Sequence, residues 1–258
     1  MIHGAVLLVS LFLPFSGTTA QTCVPGRNTL SIRGQPQDLY FCPADQSTPR
    51  RGTVLFLPGD GGWRGFAIDI AQQMAAWGYD VYGLDTKTYL ASFTGQTKSL
   101  QEADVTRDLQ EITQWIRRTR PTSVTLVGWS EGAGLVILAA AVEKNIFSGV
   151  VALATTDTAV LGWRVIDDLT YLTGRNPHEP SFAVGPYLAK IAPLPIVMIQ
   201  ASRDRDAPLE AAKTLFALAS EPKRLYVVDA RNHRFDEGRE EFFRVLQESL
   251  RWMDQAAR

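Results

Sequence analysis

The chain has 258 residues, of which 45% are hydrophobic and 21% are charged. This composition is that of an ordinary globular protein, and the length suffices for one large core, so we expect a single domain over residues 21–258. The formal net charge of −1 argues against a protein that binds nucleic acid through its overall charge.

The first twenty residues differ in composition from the rest. The largely apolar run 5–15 is followed by Ala20, a small residue at a suitable cleavage point. This pattern predicts a secretory signal peptide over residues 1–20 and therefore a periplasmic or secreted protein. The alternative is an uncleaved membrane anchor, since no Lys or Arg precedes the run, although a membrane span needs about twenty apolar residues.

The only two cysteines, Cys23 and Cys42, lie early in the mature chain. An oxidising compartment would join them in a disulfide. Segments 30–32 and 38–41 have strand character and are separated by the turn residues 34–36, which predicts an antiparallel hairpin that brings the cysteines together. Two buried free thiols are the alternative.

From residue 53 onward, short apolar runs alternate with segments typical of helices. This alternation predicts an α/β fold in which a mostly parallel central sheet has helices on both faces. The predicted strands are 53–57, 80–84, 123–127, 149–153, 195–200 and 224–228.

Residues 99–102 and 155–192 carry two further local signals. Residues 99–102 read S-L-Q-E, which predicts a capping box at the start of a helix. Residues 155–192 lose the regular pattern, and long irregular inserts are often functional. We interpret this segment as a small irregular cap over the site, with ordinary surface packing as the alternative.

Residues 128–132 read G-W-S-E-G and have the G-x-S-x-G spacing of a nucleophile elbow. A β-branched apolar run precedes them, and a segment rich in helix formers follows. Ser130 therefore lies where a strand becomes a helix. The sequence predicts that this serine is an exposed nucleophile.

A nucleophilic serine needs a base within hydrogen-bond reach, and the base needs an acid that orients it. His233 follows the last predicted strand and is the predicted base, with His178 of the irregular segment as the alternative. Asp204 follows the preceding strand and is the predicted acid, with Asp206 as the alternative. Ser130, Asp204 and His233 occur in the chain order that the α/β-hydrolase fold requires.

Acyl transfer also needs backbone N–H donors where negative charge develops on the carbonyl oxygen. One predicted donor is Glu131, the residue after the nucleophile. The other is Asp60, or alternatively Gly61, in the glycine-rich turn 58–63. A phosphate cradle is the alternative for this turn, but the Lys-Ser/Thr of a P-loop is missing. This chemistry requires no metal and no organic cofactor.

These residues resemble the α/β-hydrolase superfamily and, within it, the bacterial virulence protein VirJ/AcvB family. The closer resemblance is carried by L-P-G-D-G-G-W at 57–63, by G-L-D at 83–85 with Tyr89, and by residues 183–191. It implies an exported hydrolase that cuts the ester of aminoacylated phosphatidylglycerol at a membrane surface. The chain departs from the family pattern at Glu131, where an apolar residue is expected, and at 203–206, where a more acidic run is expected.

Four arginines lie close in sequence to the proposed acid or base and give a clue to the substrate. Some of them are expected to attract an anionic group such as a lipid phosphate. The alternative is that their side chains are simply solvated. The side chains of Asp60 and Glu131 are candidates for facing an ammonium group. The basic residues within two positions of the proposed acid or base are Arg203, Arg205, Arg231 and Arg234.

The sequence thus predicts an exported serine hydrolase that cleaves a carboxylic ester through an acyl-enzyme. An acyltransferase with the same three residues is one alternative. A non-catalytic export or interaction protein on a hydrolase scaffold is another, because fold alone does not fix function.

Overall fold

The computed structural model describes residues 26–95, 98–164, 166–167 and 179–256. The predicted signal peptide, Cys23 and the alternative base His178 lie outside these residues, so export and the disulfide stay predictions. Cys42 is buried. Within the described ranges, no helix is both long enough and apolar enough to cross a membrane.

The described chain begins with the predicted hairpin, in which β1 (Gly26–Ile32) pairs antiparallel with β2 (Gln35–Cys42). The turn consists of Arg33 and Gly34, whose φ angles of 46° and 80° suit a tight two-residue connection. The Arg33 guanidinium donates hydrogen bonds of 2.8 to 3.1 Å to the buried carboxylate of Asp108. The hairpin is thereby tied to the main body of the domain.

Two sheets are formed by the strands that follow the hairpin. The strands that join the central sheet are β3 (Gly52–Leu57), β4 (Tyr79–Leu84), β5 (Val124–Trp129), β6 (Phe147–Leu153), β9 (Ile196–Ala201) and β10 (Lys223–Val228). With the hairpin, this sheet has eight strands in the order β1-β2-β4-β3-β5-β6-β9-β10. The strands from β4 to β10 in this order are parallel, as predicted from their apolar runs, and the hairpin adds an antiparallel edge. β7 (Thr158–Val160) and β8 (Ser181–Ala183) form a separate antiparallel pair.

Helices cover both faces of the sheet and create two hydrophobic cores. They are α1 (Phe66–Ala76), α2 (Thr86–Ser92), α3 (Glu102–Thr119), α4 (Glu131–Val142), α5 (Gly185–Leu188), α6 (Leu209–Leu218) and α7 (Arg239–Ala256). One core includes α1 and α7, and the other includes α3, α4 and α6. α4 is buried along almost its whole length, which explains why its sequence is apolar on all sides.

The predicted capping box at 99–102 is wrong. α3 begins at Glu102, and the N–H of Gln101 donates a 3.0 Å hydrogen bond to the carboxylate of Asp104. The Ser99 hydroxyl instead donates a 3.2 Å hydrogen bond to Glu179, which is 80 residues away in the chain. A long-range partner has therefore replaced the local one.

The described part of the irregular segment 155–192 is packed rather than loose. It contains β7, β8 and the single-turn helix α5, and its apolar side chains enter the core beside α4. Residues 165 and 168–178 lie outside the described part. The interpretation of the segment as a cap over the site therefore stays a prediction.

Candidate active site

Ser130 lies at a sharp turn between β5 and α4, with φ 56° and ψ −120°. A residue other than glycine is strained in this backbone conformation, and such strain is characteristic of functional sites. The flanking glycines make the turn feasible. A Cβ on Gly128 would overlap the backbone of Gly132, and a Cβ on Gly132 would overlap the carbonyl groups of Leu57 and Pro58. The G-x-S-x-G spacing is thus a requirement of the backbone packing.

His233 and Asp204 are in direct contact. The distance between His233 Nδ1 and Asp204 Oδ2 is 2.7 Å, and the side chain of Asp204 is 0% exposed. The second oxygen of Asp204 accepts hydrogen bonds from the backbone N–H groups of Asp206 and Ala207, at 2.9 and 3.2 Å. Asp206 therefore supports Asp204 through its backbone. A carboxylate held in this way is suited to orienting an imidazole.

The loop that carries His233 is attached to the elbow. The indole N–H of Trp129 donates a 3.1 Å hydrogen bond to the carbonyl oxygen of His233, and the two rings lie 6.0 Å apart. The loop is also anchored by Phe235, which is buried and stacks on Phe242 with ring centroids 4.3 Å apart. Nothing in the sequence marked Trp129 for this role, because its position in the elbow motif is variable.

The Ser130 hydroxyl makes no hydrogen bond with another side chain among the described residues. Catalytic hydrogen bonds often tighten only when the substrate is bound. The structure places the Ser130 hydroxyl, the His233 imidazole and the buried Asp204 carboxylate at one edge of the sheet. The imidazole and the carboxylate are already hydrogen-bonded to each other.

The glycine-rich turn after β3 lies against Ser130. A Cβ built on Gly59 would be 3.0 Å from Ser130 Cβ and 3.6 Å from its Oγ. Within the described chain, the backbone N–H groups of Asp60 and Glu131 donate to no other group. Two free donors beside a nucleophile are able to bind an oxyanion.

The Glu131 side chain is buried and connects the elbow to β7. Its carboxylate accepts a hydrogen bond from the N–H of Val160. Burial raises the pKa of Glu131 from its ordinary value of 4.5 to about 8; the nearby carboxylate of Asp60 adds to this rise, and the bond from Val160 opposes it. Glu131 is therefore mostly uncharged at neutral pH. Of the two side chains considered for an ammonium group, only Asp60 is partly exposed.

We expect Glu131→Gln to become more stable relative to wild type as the pH rises from about 5 to 8. The raised pKa means that ionisation favours the unfolded chain, so the contribution of Glu131 is complete below pH 4.5 and is lost as the pH approaches 8. Urea unfolding across this range measures the effect, with the exposed Glu111→Gln as the control for one lost charge. Parallel pH profiles of wild type and Glu131→Gln would contradict it.

The four arginines near the site divide into two pairs. Arg203 lies 3.3 Å from Asp229 and 3.6 Å from Glu237, and Arg231 lies 3.5 Å from Glu237, so both form exposed ion pairs. Arg205 and Arg234 are exposed, and neither forms an ion pair within the described chain. Neither guanidinium is bound to a carboxylate of a described residue, so this second pair can receive an anionic group, although the hydrogen bond from Asn232 and also the charge of Arg234 lower the pKa of the nearby Asp236 carboxyl.

Asp204, Asp206 and His233 also offer ligand atoms within 4.8 Å of one another, a spacing at which side chains can hold a metal ion. Both oxygens of Asp204 are already occupied, however, one by His233 and the other by two backbone N–H groups. These hydrogen bonds favour a carboxylate that orients the imidazole over a metal site.

The family model for the bacterial virulence protein VirJ matches residues 52–251, a range that contains the elbow, the Asp204–His233 pair and the glycine-rich turn. The chain belongs to this family. A search of curated protein sequences finds no match.

Solved structures share the fold of this VirJ family member. Est1E from Butyrivibrio proteoclasticus is 13% identical and has a TM-score of 0.66, with coverage of 88% of this chain and 98% of that chain. Monoglyceride lipase from Saccharomyces cerevisiae is 15% identical, with a TM-score of 0.65 and coverage of 93% and 98%. A serine hydrolase without lid from Xanthomonas campestris is 17% identical, with a TM-score of 0.61 and coverage of 88% and 94%. These similarities confirm the predicted α/β-hydrolase fold.

Proposed function

We propose that this VirJ family chain is a serine hydrolase that cleaves a carboxylic ester. The observation that carries the proposal is the 2.7 Å contact between His233 Nδ1 and the buried Asp204, next to a serine in a strained elbow. The esterase and lipase names of the structures with the same fold support it.

In the proposed reaction, Ser130 Oγ attacks the ester carbonyl while His233 takes the hydroxyl proton. The carbonyl oxygen becomes an oxyanion that accepts hydrogen bonds from the backbone N–H groups of Asp60 and Glu131. His233 then gives the proton to the leaving alcohol, and the acyl group stays on Ser130. A water molecule, deprotonated by His233, releases the acid and restores the serine. Asp204 keeps the imidazole in the required tautomer and orientation.

For the substrate, we propose an aminoacylated phosphatidylglycerol outside the cytoplasm. The family resemblance implies this class, and two features of the site are compatible with it. Arg205 and Arg234 are exposed arginines without an ion pair in the described chain, and each suits a phosphate. Asp60, beside the elbow, is a partly exposed carboxylate that suits the ammonium group of the amino acid.

A substrate panel tests the proposal. The mature chain is incubated with aminoacyl-phosphatidylglycerol, with the same lipid lacking the amino acid, and with a neutral p-nitrophenyl ester, and the products are identified by mass spectrometry. We expect release of the free amino acid and of intact phosphatidylglycerol, and no release by Ser130→Ala. Transfer of the acyl group to an acceptor other than water would identify an acyltransferase. No turnover of any ester by the folded wild-type protein would contradict the proposal.

Charge reversal of the two exposed arginines that form no ion pair within the described chain tests the proposed phosphate contact. Arg205→Glu and Arg234→Glu are expected to raise KM for the anionic lipid ester about tenfold each, because a charge-assisted contact becomes a repulsion. The neutral ester should be hydrolysed as by wild type. Arg118→Glu, an exposed change near the carboxyl end of α3, is the matched control. An equal loss of activity on the neutral ester would rule out the proposed phosphate contact.

A further inference from the structure

The turn that carries the proposed oxyanion donor Asp60 is fixed by residues other than Ser130, Asp204 and His233. The turn is closed by a 3.0 Å hydrogen bond from the N–H of Gly62 to the carbonyl oxygen of Gly59. Gly62 has φ 73°, a conformation that favours glycine. The orientation of the Asp60 N–H therefore depends on how firmly the second half of this turn is fixed.

Asp85, at the end of β4, provides this fixation. One oxygen of its carboxylate accepts a 3.0 Å hydrogen bond from the N–H of Trp63, and the other accepts a 2.9 Å bond from the N–H of Thr88 in α2. A Cβ on Gly62 would lie only 2.9 and 3.0 Å from the two oxygens of Asp85. The carboxylate thus clamps the turn onto α2, and the close approach requires glycine at position 62.

The indole of Trp63 reinforces the same anchor. A Cβ on Gly83 would fall inside the indole ring, so β4 carries a glycine where the ring lies against it. The ring stacks on Tyr40 with centroids 5.0 Å apart and an interplanar angle of 3°. Trp63 therefore stabilises the turn through both its backbone N–H and its indole ring. The G-D-G-G-W and G-L-D motifs form one structural unit.

We propose that Asp85 is a positioning residue for ester hydrolysis, which holds the Asp60 N–H in the direction required by the oxyanion. The inference rests on the proposed function. Asp85 binds the turn through backbone groups and makes no contact with Ser130 or His233 among the described residues. Its loss is expected to affect the transition state, because a misplacement of about 1 Å can lower a rate by about 10²-fold.

Three substitutions separate positioning from folding. Asp85→Ser keeps one oxygen that can cap α2 through Thr88 but cannot also reach Trp63. Asp85→Asn keeps the size and loses one acceptor, and Asp85→Ala loses both. Asp104→Ala removes a carboxylate with the same kind of contact at the start of α3 and is the matched control. Thermal unfolding of all four variants measures the effect on stability.

The variants are assayed on an ester whose hydrolysis by wild type is abolished by Ser130→Ala. We expect Asp85→Ser, Asp85→Asn and Asp85→Ala each to lower kcat about 10²-fold, with little change in KM. The inhibition constant of a boronic acid, which forms a tetrahedral adduct with the serine, should rise in parallel with the loss of kcat. Asp104→Ala should keep the wild-type kcat.

Two results would overturn the inference. One is a wild-type kcat in Asp85→Ser and Asp85→Asn. The other is a loss in Asp104→Ala that matches the loss in the Asp85 variants at equal stability. Either result leaves the proposed function intact, provided that Ser130→Ala still abolishes hydrolysis by the wild-type chain. Failure of the proposed function is recognised separately, because wild type and Ser130→Ala then behave alike.

Discussion

Asp204→Asn is expected to lower kcat for ester hydrolysis by about 10⁴-fold. An amide at this position no longer holds the imidazole of His233 in the tautomer that accepts the proton of Ser130. It also no longer stabilises the imidazolium that forms during the reaction. The buried position of Asp204 and its 2.7 Å contact with His233 Nδ1 place this carboxylate where it can orient the proposed base.

Asp206→Asn is the matched control, since it removes one negative charge from the same loop. The carboxylate of Asp206 is not hydrogen-bonded to His233 among the described residues, and the backbone N–H that supports Asp204 is unchanged. We expect kcat close to that of wild type. Steady-state kinetics on one ester, with thermal unfolding as the check on folding, measure both variants. A larger loss in Asp206→Asn than in Asp204→Asn would assign the acid to Asp206.

Gly132→Ala is expected to lower the free energy of unfolding by about 3 kcal/mol, because overpacking a rigid site strains the backbone. The added Cβ would overlap the carbonyl oxygens of Leu57 and Pro58, both of which belong to the backbone at the end of β3. Neither can rotate away as a side chain would. The start of α4 must therefore move from β3, which also separates the two proposed oxyanion donors, and activity is expected to fall with stability.

Gly61→Ala is the control for a glycine in the same site. The nearest atom to its added Cβ is Arg64 Nε, at 4.0 Å, so the methyl group makes only an ordinary van der Waals contact. We expect stability close to that of wild type. Urea unfolding measures the difference between the two variants. Equal stability of Gly132→Ala and Gly61→Ala would show that the elbow does not need the close approach described for Gly132.

Much of the fold is predictable because its parallel strands, apart from the edge strand β10, are almost entirely buried and read as continuous apolar runs. The hairpin before them is predictable from its turn residues. Helix α2 shows no signal of its own, since seven residues are too few for a helical period to emerge. Its start is fixed by Asp85, whose other contact lies in the turn after β3. A carboxylate that bridges two separate segments of the chain cannot be predicted from the local sequence around it.

The positions of the candidate site residues are also predictable, because Ser130, Asp204 and His233 each follow a predicted strand at the same edge of the sheet. The partners of the charged side chains are not. Glu131 is satisfied by the backbone of Val160, and Arg203 is paired with acids of a neighbouring loop. These pairings depend on which groups meet in space, and local periodicity carries no information about them.

The proposed hydrolysis depends on Ser130 acting as a nucleophile that is activated by His233. Covalent labelling with a fluorophosphonate probe, located by peptide mass spectrometry, tests it most directly. We expect wild type to be labelled at Ser130, Asp204→Asn to be labelled much more slowly, and Ser130→Ala to be unlabelled. A folded wild-type chain that takes up no label, or a Ser130→Ala variant labelled as fast as wild type, would contradict the account.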